Sequence, residues 1–182
     1  MERNGHALTA ARSLLLAVDL QSRLMPAIED AQAVMANVGR LMDAAALLGV
    51  PVFITEQNPR GLGTSVPEIA ARGLPTLHKM AFDATQEVEF DAFLPTSRTD
   101  AVVVGCEAHV CVMQTVLGLI RQGRRVFLVR DAVGSRRAEN KETAITRMIR
   151  AGAEIVTAEM VIFEWLGTCE HPRFREVLSL IR

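Results

Sequence analysis

The sequence predicts an α/β fold, and three observations predict it. Short continuous apolar runs recur along the chain, as strands buried on both faces by crossover helices require. Between them lie stretches of helical periodicity, most of which end on a glycine. No Pro/Gly/Ser-rich linker and no internal repeat interrupts the 182 residues, 49% of which are hydrophobic, so one domain spanning 1–182 with a sizeable core is expected.

The elements follow in order. "LLLAV" gives a first strand at Leu14 to Val18, and "VFIT" a second at Val52 to Thr55. A weak third lies near Thr76 to Lys79. Ala101 to Val104, Val126 to Arg130 and Glu154 to Val156 complete the set. Helices fill the gaps at Ala31 to Leu48, Val110 to Gln122 and Lys141 to Ala151, stopped by Gly49, Gly123 and Gly152. Two more close the chain, Ala158 to Trp165 and Pro172 to Ile181, the last with proline in its first turn. The segments Gly61 to Gly73 and Met80 to Asp100 hold a short helix each at most, the second around Glu89 to Leu94. Both follow strands, so both are expected to shape a pocket at the carboxyl edge of the sheet.

Composition excludes several function classes. Twenty Lys and Arg against twenty-one Asp and Glu leave a net charge of -1, without the basic excess that phosphate backbones demand, so no nucleic-acid partner is expected. The basic clusters Arg121 to Arg125 and Arg136 to Arg147 read as solvated helix faces. No apolar stretch approaches the roughly 20 residues needed to span a bilayer, so no membrane is expected either. The opening "MERNGHALTAARSLLLAVDL" ends in "AVDLQ" instead of a small-residue cleavage site, and reads as a core strand of a cytoplasmic protein. Three cysteines do not make a disulfide framework. Each is core filler, ligand or nucleophile.

Chemistry-bearing residues gather at the expected strand ends. Asp19 follows the first strand, where a dinucleotide-binding protein would carry G-x-G-x-x-G, yet no glycine stands between Gly5 and Gly39. Taken alone, Asp19 fits a turn cap equally well, and Gln21 is no more distinctive. In "VVVGCEAHVCVMQT" the strand stops at Gly105 and a helix begins near Val110. Cys111 therefore falls in a first helical turn, whose partial positive charge and free N–H groups favour a thiolate. Cys106, at the strand end, reads as a small buried hydrophobe. His109 is either a base for Cys111 or a wall residue, and Cys169 and His171 have no evident partner. Structural zinc on Cys106, His109 and Cys111 lacks a second ligand pair. Lys79 is a surface residue if judged alone; if buried, its ammonium would favour a neighbouring thiolate and carboxylate.

Together Asp19, Lys79 and Cys111 resemble the triad of the isochorismatase-like cysteine hydrolases, a superfamily that includes nicotinamidases, N-carbamoylsarcosine amidases and ureidoacrylate hydrolases. The likeness runs over nearly the whole chain. "AVDLQSRLMPAI" is similar to the family's first strand and its Asp, "HKMAFDA" to its Lys segment, and "VVVGCEAHVCVMQTVLGLIRQG" to its nucleophile strand, turn and helix. "LVRDAVGSR" is similar to the strand and loop that follow, and "TEQNPRGLGTSVPE" with "GCEAHVCVMQT" resembles the plain isochorismatase-domain proteins more than nicotinamidases.

The resemblance implies a Rossmann-like, three-layer αβα domain with a six-stranded parallel sheet of order 3-2-1-4-5-6, and a non-proline cis peptide between Cys106 and Glu107. It implies an oxyanion hole from the backbone N–H groups of Glu107 and Cys111. No metal or other cofactor is expected, because nicotinamidases carry an Asp-x-His…His cluster where this chain reads "TEQNPRGLG", with no histidine from Phe53 to Leu77. Members that open isochorismate's vinyl ether lack the cysteine, so Cys111 points away from that substrate. One geometric difficulty attends this sheet order. The third strand lies about 14 Å from the fourth at roughly 4.8 Å per spacing, so the backbone after Leu77 is expected to bend inward.

The implied activity is hydrolysis of an amide, ureide or carbamoyl C–N bond in a small molecule through a Cys111 thioester. Asp19 would move the proton and Lys79 would stabilise the thiolate. Gln21, Gln57, Phe82 and His109 are the expected substrate-binding residues. A homo-oligomer, dimer or larger, is expected, with "EMVIFEWLG" as apolar surface for a partner subunit. Two rivals are an idle family member acting as a binding or scaffold protein, and a thiol redox protein using Cys106 and Cys111.

Overall fold

The computed structural model describes residues 7–181, so residues 1–6 of the opening stretch lie outside the described residues. In chain order the elements are β1 (Ser13–Val18), α1 (Ala31–Leu48), β2 (Val52–Gln57), α2 (Pro59–Leu62), α3 (Pro67–Ala70), β3 (Thr76–Lys79), α4 (Phe90–Phe93), β4 (Asp100–Cys106), α5 (Met113–Arg121), β5 (Arg125–Gly134), α6 (Ala138–Ala151), β6 (Glu154–Val156), α7 (Ala158–Leu166) and α8 (Phe174–Leu180). Short 3-10 turns at Met25–Ala27 and Ala84–Gln86 and a single π turn at Ala108–Val112 complete them.

The six strands form one parallel sheet in the order β3-β2-β1-β4-β5-β6. Side-chain alternation divides the core into two layers. Leu15 and Ala17 of β1, with Val102 and Val104 of β4, pack with α1 and α7. Leu14, Leu16 and Val18, with Ala101 and Val103, pack with α5 and α6 on the other side. Such double coverage is why β1 and β4, apart from Ser13 and Asp100 at their starts, carry no polar side chain before Cys106 and are buried at every position. In α1, Val34, Val38, Leu41, Met42 and Ala45 form one buried stripe at helical spacing. Gly49 then takes a left-handed conformation and returns its N–H to Ala45. The lone tryptophan is a core residue: Trp165 donates its indole N–H to Ser13 Oγ at 2.9 Å across the α7 layer.

The structure extends several elements and shifts others. β5 runs on to Gly134, and its pairing with β4 changes register between Val103 and Gly105. α6 begins at Ala138, three residues before the apolar pattern starts. The last helix starts at Phe174, so Pro172 precedes it instead of sitting in its first turn. The loop after β2 holds two single-turn helices, α2 and α3, each with proline at its start. Among the described residues no helix is long and apolar enough to cross a membrane.

The chain order reverses between β1 and β4, and the crevice at their carboxyl ends is where an open parallel sheet receives a ligand. Gly105 sits at that point with φ +117°, paired with Val18, and an added Cβ would collide with the Val18 carbonyl oxygen. Only glycine lets β4 lie this close to the end of β1. Gly105→Ala should therefore lower stability by at least about 3 kcal/mol, read from urea unfolding, and a loss under about 1 kcal/mol would contradict this packing.

Candidate active site

Asp19 leaves β1 in a left-handed conformation, φ 51°, which aspartate tolerates better than most residues. That turn points its carboxylate into the protein, where it is fully buried. Thr55 Oγ1 donates to Oδ1 at 2.7 Å, and Lys79 Nζ donates to Oδ2 at 2.8 Å. Lys79 is itself buried, among the largest fully buried side chains of the described residues. Its ammonium also donates to the carbonyl oxygens of Ala81 at 3.2 Å and Phe82 at 3.3 Å. Each ion is thus paired and further hydrogen-bonded, as burial of charge demands.

This arrangement answers the distance problem posed by the sheet order. Lys79 keeps its regular register opposite Gln57, so within the backbone after Leu77 the inward bend falls at residues 80–82. Lys79 needs to reach only past β2 to the end of β1, where Asp19 lies. The bend is held by side chains on both sides. Glu87 Oε1 accepts from the N–H groups of Met80 and Ala81, at 2.8 and 2.9 Å. Buried Thr115, on α5, accepts from Ala84 N at 3.0 Å and donates to the Phe82 carbonyl. Gly118, one turn on, leaves room for the Asp83–Thr85 turn to rest on α5.

Cys111 arrives from the opposite direction. β4 ends at Cys106, the Cys106–Glu107 peptide bond is cis, and residues 108–112 form the π turn that leads into α5. The cysteine therefore lies in a wide π turn two residues before α5, not in the first turn of an α-helix. Its thiol lies close enough to Asp19 and Lys79 for the charges of both to act on it. Burial, and then the Asp19 charge, push it up to about 12 against the opposing pull of Lys79. Desolvation and the carboxylate thus act against the thiolate that a place near a helix start and a lysine would favour.

Cys106 is separated from this group by the sheet. It packs on the α1 side with Ile28 and Val34, and burial pushes its thiol up to about 12 as well. Cys111 packs on the α5 side, and all three cysteines are free. Two thiols in opposite layers of the core do not form a redox pair.

A cavity of about 340 Å³ opens over the triad, lined by Asp19, Cys111, Gln57, Phe82 and Glu107, with Arg23, Leu24, Ala27, Leu62, Val110 and Arg136 completing the wall. Gln57 and Phe82 thus stand where substrate-binding residues were expected. Gln21 and His109 do not. Gln21 is fully buried and ties the loop after β2 to β1: its amide donates to the carbonyls of Gln57 and Gly63, and its oxygen accepts from Gln57 N. His109 turns toward α6, with Nδ1 3.0 Å from Ser135 Oγ and Nε2 3.5 Å from Asn140. Sequence reasoning missed Thr55 and Thr115 as supports, and Arg23 and Arg136 as cavity residues. Glu107 accepts from the backbone N and Nε of Arg136, both at 3.0 Å. Among the described residues no three His, Cys, Asp or Glu side chains group as metal ligands would.

Residues 13–160 match the isochorismatase domain model. Isochorismatase domain-containing protein 2 of Xenopus laevis is 36% identical over 170 residues, which cover 93% of this chain and 83% of that protein. A solved structure from Caenorhabditis elegans, described as the MAR1 ribonuclease, is 35% identical with a TM-score of 0.89, covering 96% of this chain and 92% of that one. A cysteine hydrolase from Pseudomonas syringae shares the fold at 14% identity and a TM-score of 0.79, over 99% and 100% of the two chains. The chain belongs to the isochorismatase-domain family, a hydrolase-type family.

Two measurements check this geometry. Lys79→Met leaves the Asp19 carboxylate buried without its ammonium and should cost about 3–5 kcal/mol in urea unfolding. Adding Asp19→Asn should restore much of that, whereas a cost under about 1 kcal/mol for the single variant would contradict the buried pair. The second concerns pH. Alkylation requires the thiolate, and a raised pKa shifts thiolate formation to higher pH, so the rate of Cys111 modification by iodoacetamide should still be climbing at about pH 9. A plateau between about pH 6 and pH 8 would mean a thiolate at rest.

Proposed function

We propose that this protein is a cysteine-dependent hydrolase that cleaves the C–N bond of a small amide, ureide or carbamoyl compound through a thioester on Cys111. The observation that carries the reading is the Cys111 thiol beside a buried carboxylate–ammonium pair on the wall of a cavity. A neutral thiol beside a fixed carboxylate is the starting state of general-base nucleophilic catalysis.

As the sulfur attacks the carbonyl carbon, its proton passes to Asp19 and the carbonyl oxygen gains the electron pair. The backbone N–H groups of Glu107 and Cys111 receive that oxyanion, and both residues line the cavity. Collapse of the tetrahedral intermediate breaks the C–N bond, and Asp19 returns the proton to the leaving nitrogen. A water then gives its proton to Asp19 and attacks the thioester, releasing the acid and restoring the thiol. Lys79 keeps Asp19 in place throughout and stabilises negative charge on sulfur while the proton is away. Gln57 and Phe82 contribute one amide and one aromatic ring to substrate contact.

A volume of about 340 Å³ supports a small substrate. The ribonuclease description of the Caenorhabditis elegans relative brings RNA cleavage into view for this chain, but a net charge of -1 does not favour a polyanion, and the buried triad favours attack on a carbonyl. Three free thiols, one of them exposed, support a cytoplasmic setting. Exposed Met160 and Phe163 on α7 and Ile149 on α6 support assembly with further copies of the chain.

Incubation with a panel of small amides, ureides and carbamoyl compounds should release ammonia or amine and leave an acyl mass on the peptide carrying Cys111. Cys111→Ala should abolish both signals, and Asp19→Asn should slow acylation roughly 10²- to 10⁴-fold. Neither product nor adduct across the panel would favour the idle binding protein, and cleavage of RNA that survives Cys111→Ala would replace the thioester reading altogether.

A further inference from the structure

The charges around the cavity cancel, with one exception. Asp19 is matched by Lys79 at 2.8 Å and Glu107 by Arg136 at 3.0 Å. Arg23 also lines the cavity and takes part in no ion pair among the described residues. Its contacts are to the backbone: Nη1 donates to the carbonyl oxygens of Arg60 and Gly61, at 3.3 and 3.2 Å. Those carbonyls brace one end of the guanidinium against the α2 turn. Nε and Nη2 have no acceptor among the described residues, so the charge and two of its donors are available to whatever enters.

We propose that Arg23 binds a carboxylate of the substrate, which is therefore a small monoanionic acid-amide. This rests on the thioester reading for Cys111 and adds the substrate's charge to it. A planar fork of N–H groups matches a carboxylate in two parallel hydrogen bonds, and a concave wall strengthens the attraction relative to open solvent. The apolar wall at Leu24, Leu62 and Phe82 suits a short carbon skeleton between the two functional groups. One end holds the carboxylate on Arg23; the other presents the C–N carbonyl to Cys111. Arg23 is exposed, so a neutral amide of the same size would gain no charge pairing from the guanidinium, and a second anionic group would meet the carboxylates of Asp19 and Glu107.

Two reagents that differ by one charge test this directly. Iodoacetate and iodoacetamide both alkylate sulfur, and on an isolated cysteine peptide the anion is the slower of the two. At Cys111 the iodoacetate-to-iodoacetamide rate ratio should exceed the peptide value by roughly tenfold, the worth of one charge-assisted contact. Arg23→Gln should return the ratio toward the peptide value, and added salt should lower it in the wild type. An identical ratio in wild type and Arg23→Gln overturns the proposal. Failure of both reagents to label Cys111 counts against the thioester reading instead, and a second measurement then judges Arg23 alone. Calorimetric titration of the Cys111→Ala protein compares malonamate and succinamate with malonamide and succinamide. Tighter binding of an acid-amide by roughly tenfold, lost in Arg23→Gln, supports the anion site. No preference in either pair, absence of binding included, overturns it.

Discussion

A carboxylate and an ammonium held together out of water organise the rest of this site. Neither Asp19 nor Lys79 has any exposed side-chain surface, and an unpaired ion in such a place would cost several kcal/mol. Every nearby feature answers to that constraint. The left-handed turn after β1 aims the carboxylate inward, Thr55 takes one of its oxygens, and the carbonyls of Ala81 and Phe82 take the remaining ammonium protons. Even Thr115 and Glu87, which touch neither ion, hold the segment that supplies those carbonyls.

Burial of the pair also sets the chemistry of the sulfur. A helix N-terminus and a lysine both favour a thiolate, and on those grounds Cys111 looks activated at rest. Desolvation and the carboxylate act in the other direction and are the larger effects, so the thiol keeps its proton. The base is then not a device for storing a thiolate. In the proposed mechanism it accepts the proton only when the carbonyl carbon arrives.

How much of this was legible in the sequence depends on the distance over which each feature is encoded. The strands of the central sheet announced themselves as apolar runs because they are buried on both faces, and the sheet order followed from the family likeness. Asp19, Lys79 and Cys111 stood out because each follows a strand and each matched a motif. The π turn at 108–112 did not, since its residues carry the same apolar periodicity as the helix they precede. Gln21 looked like a pocket residue two positions past Asp19, but its partners lie 36 and 42 residues away, and only the folded loop shows that they occupy its amide. Arg23 was unremarkable in a string of polar residues. Its meaning is the lack of an acidic neighbour, which no local pattern records.

The protonation state of Cys111 is the point on which the account turns, and the S–H stretching band reads it without any substrate. Infrared difference spectra between wild type and Cys111→Ala isolate that band from those of Cys106 and Cys169. A thiol that keeps its proton gives a band at neutral pH, and one raised by burial keeps it above the usual thiol range. Absence of that band at neutral pH would contradict a thiol that rests protonated.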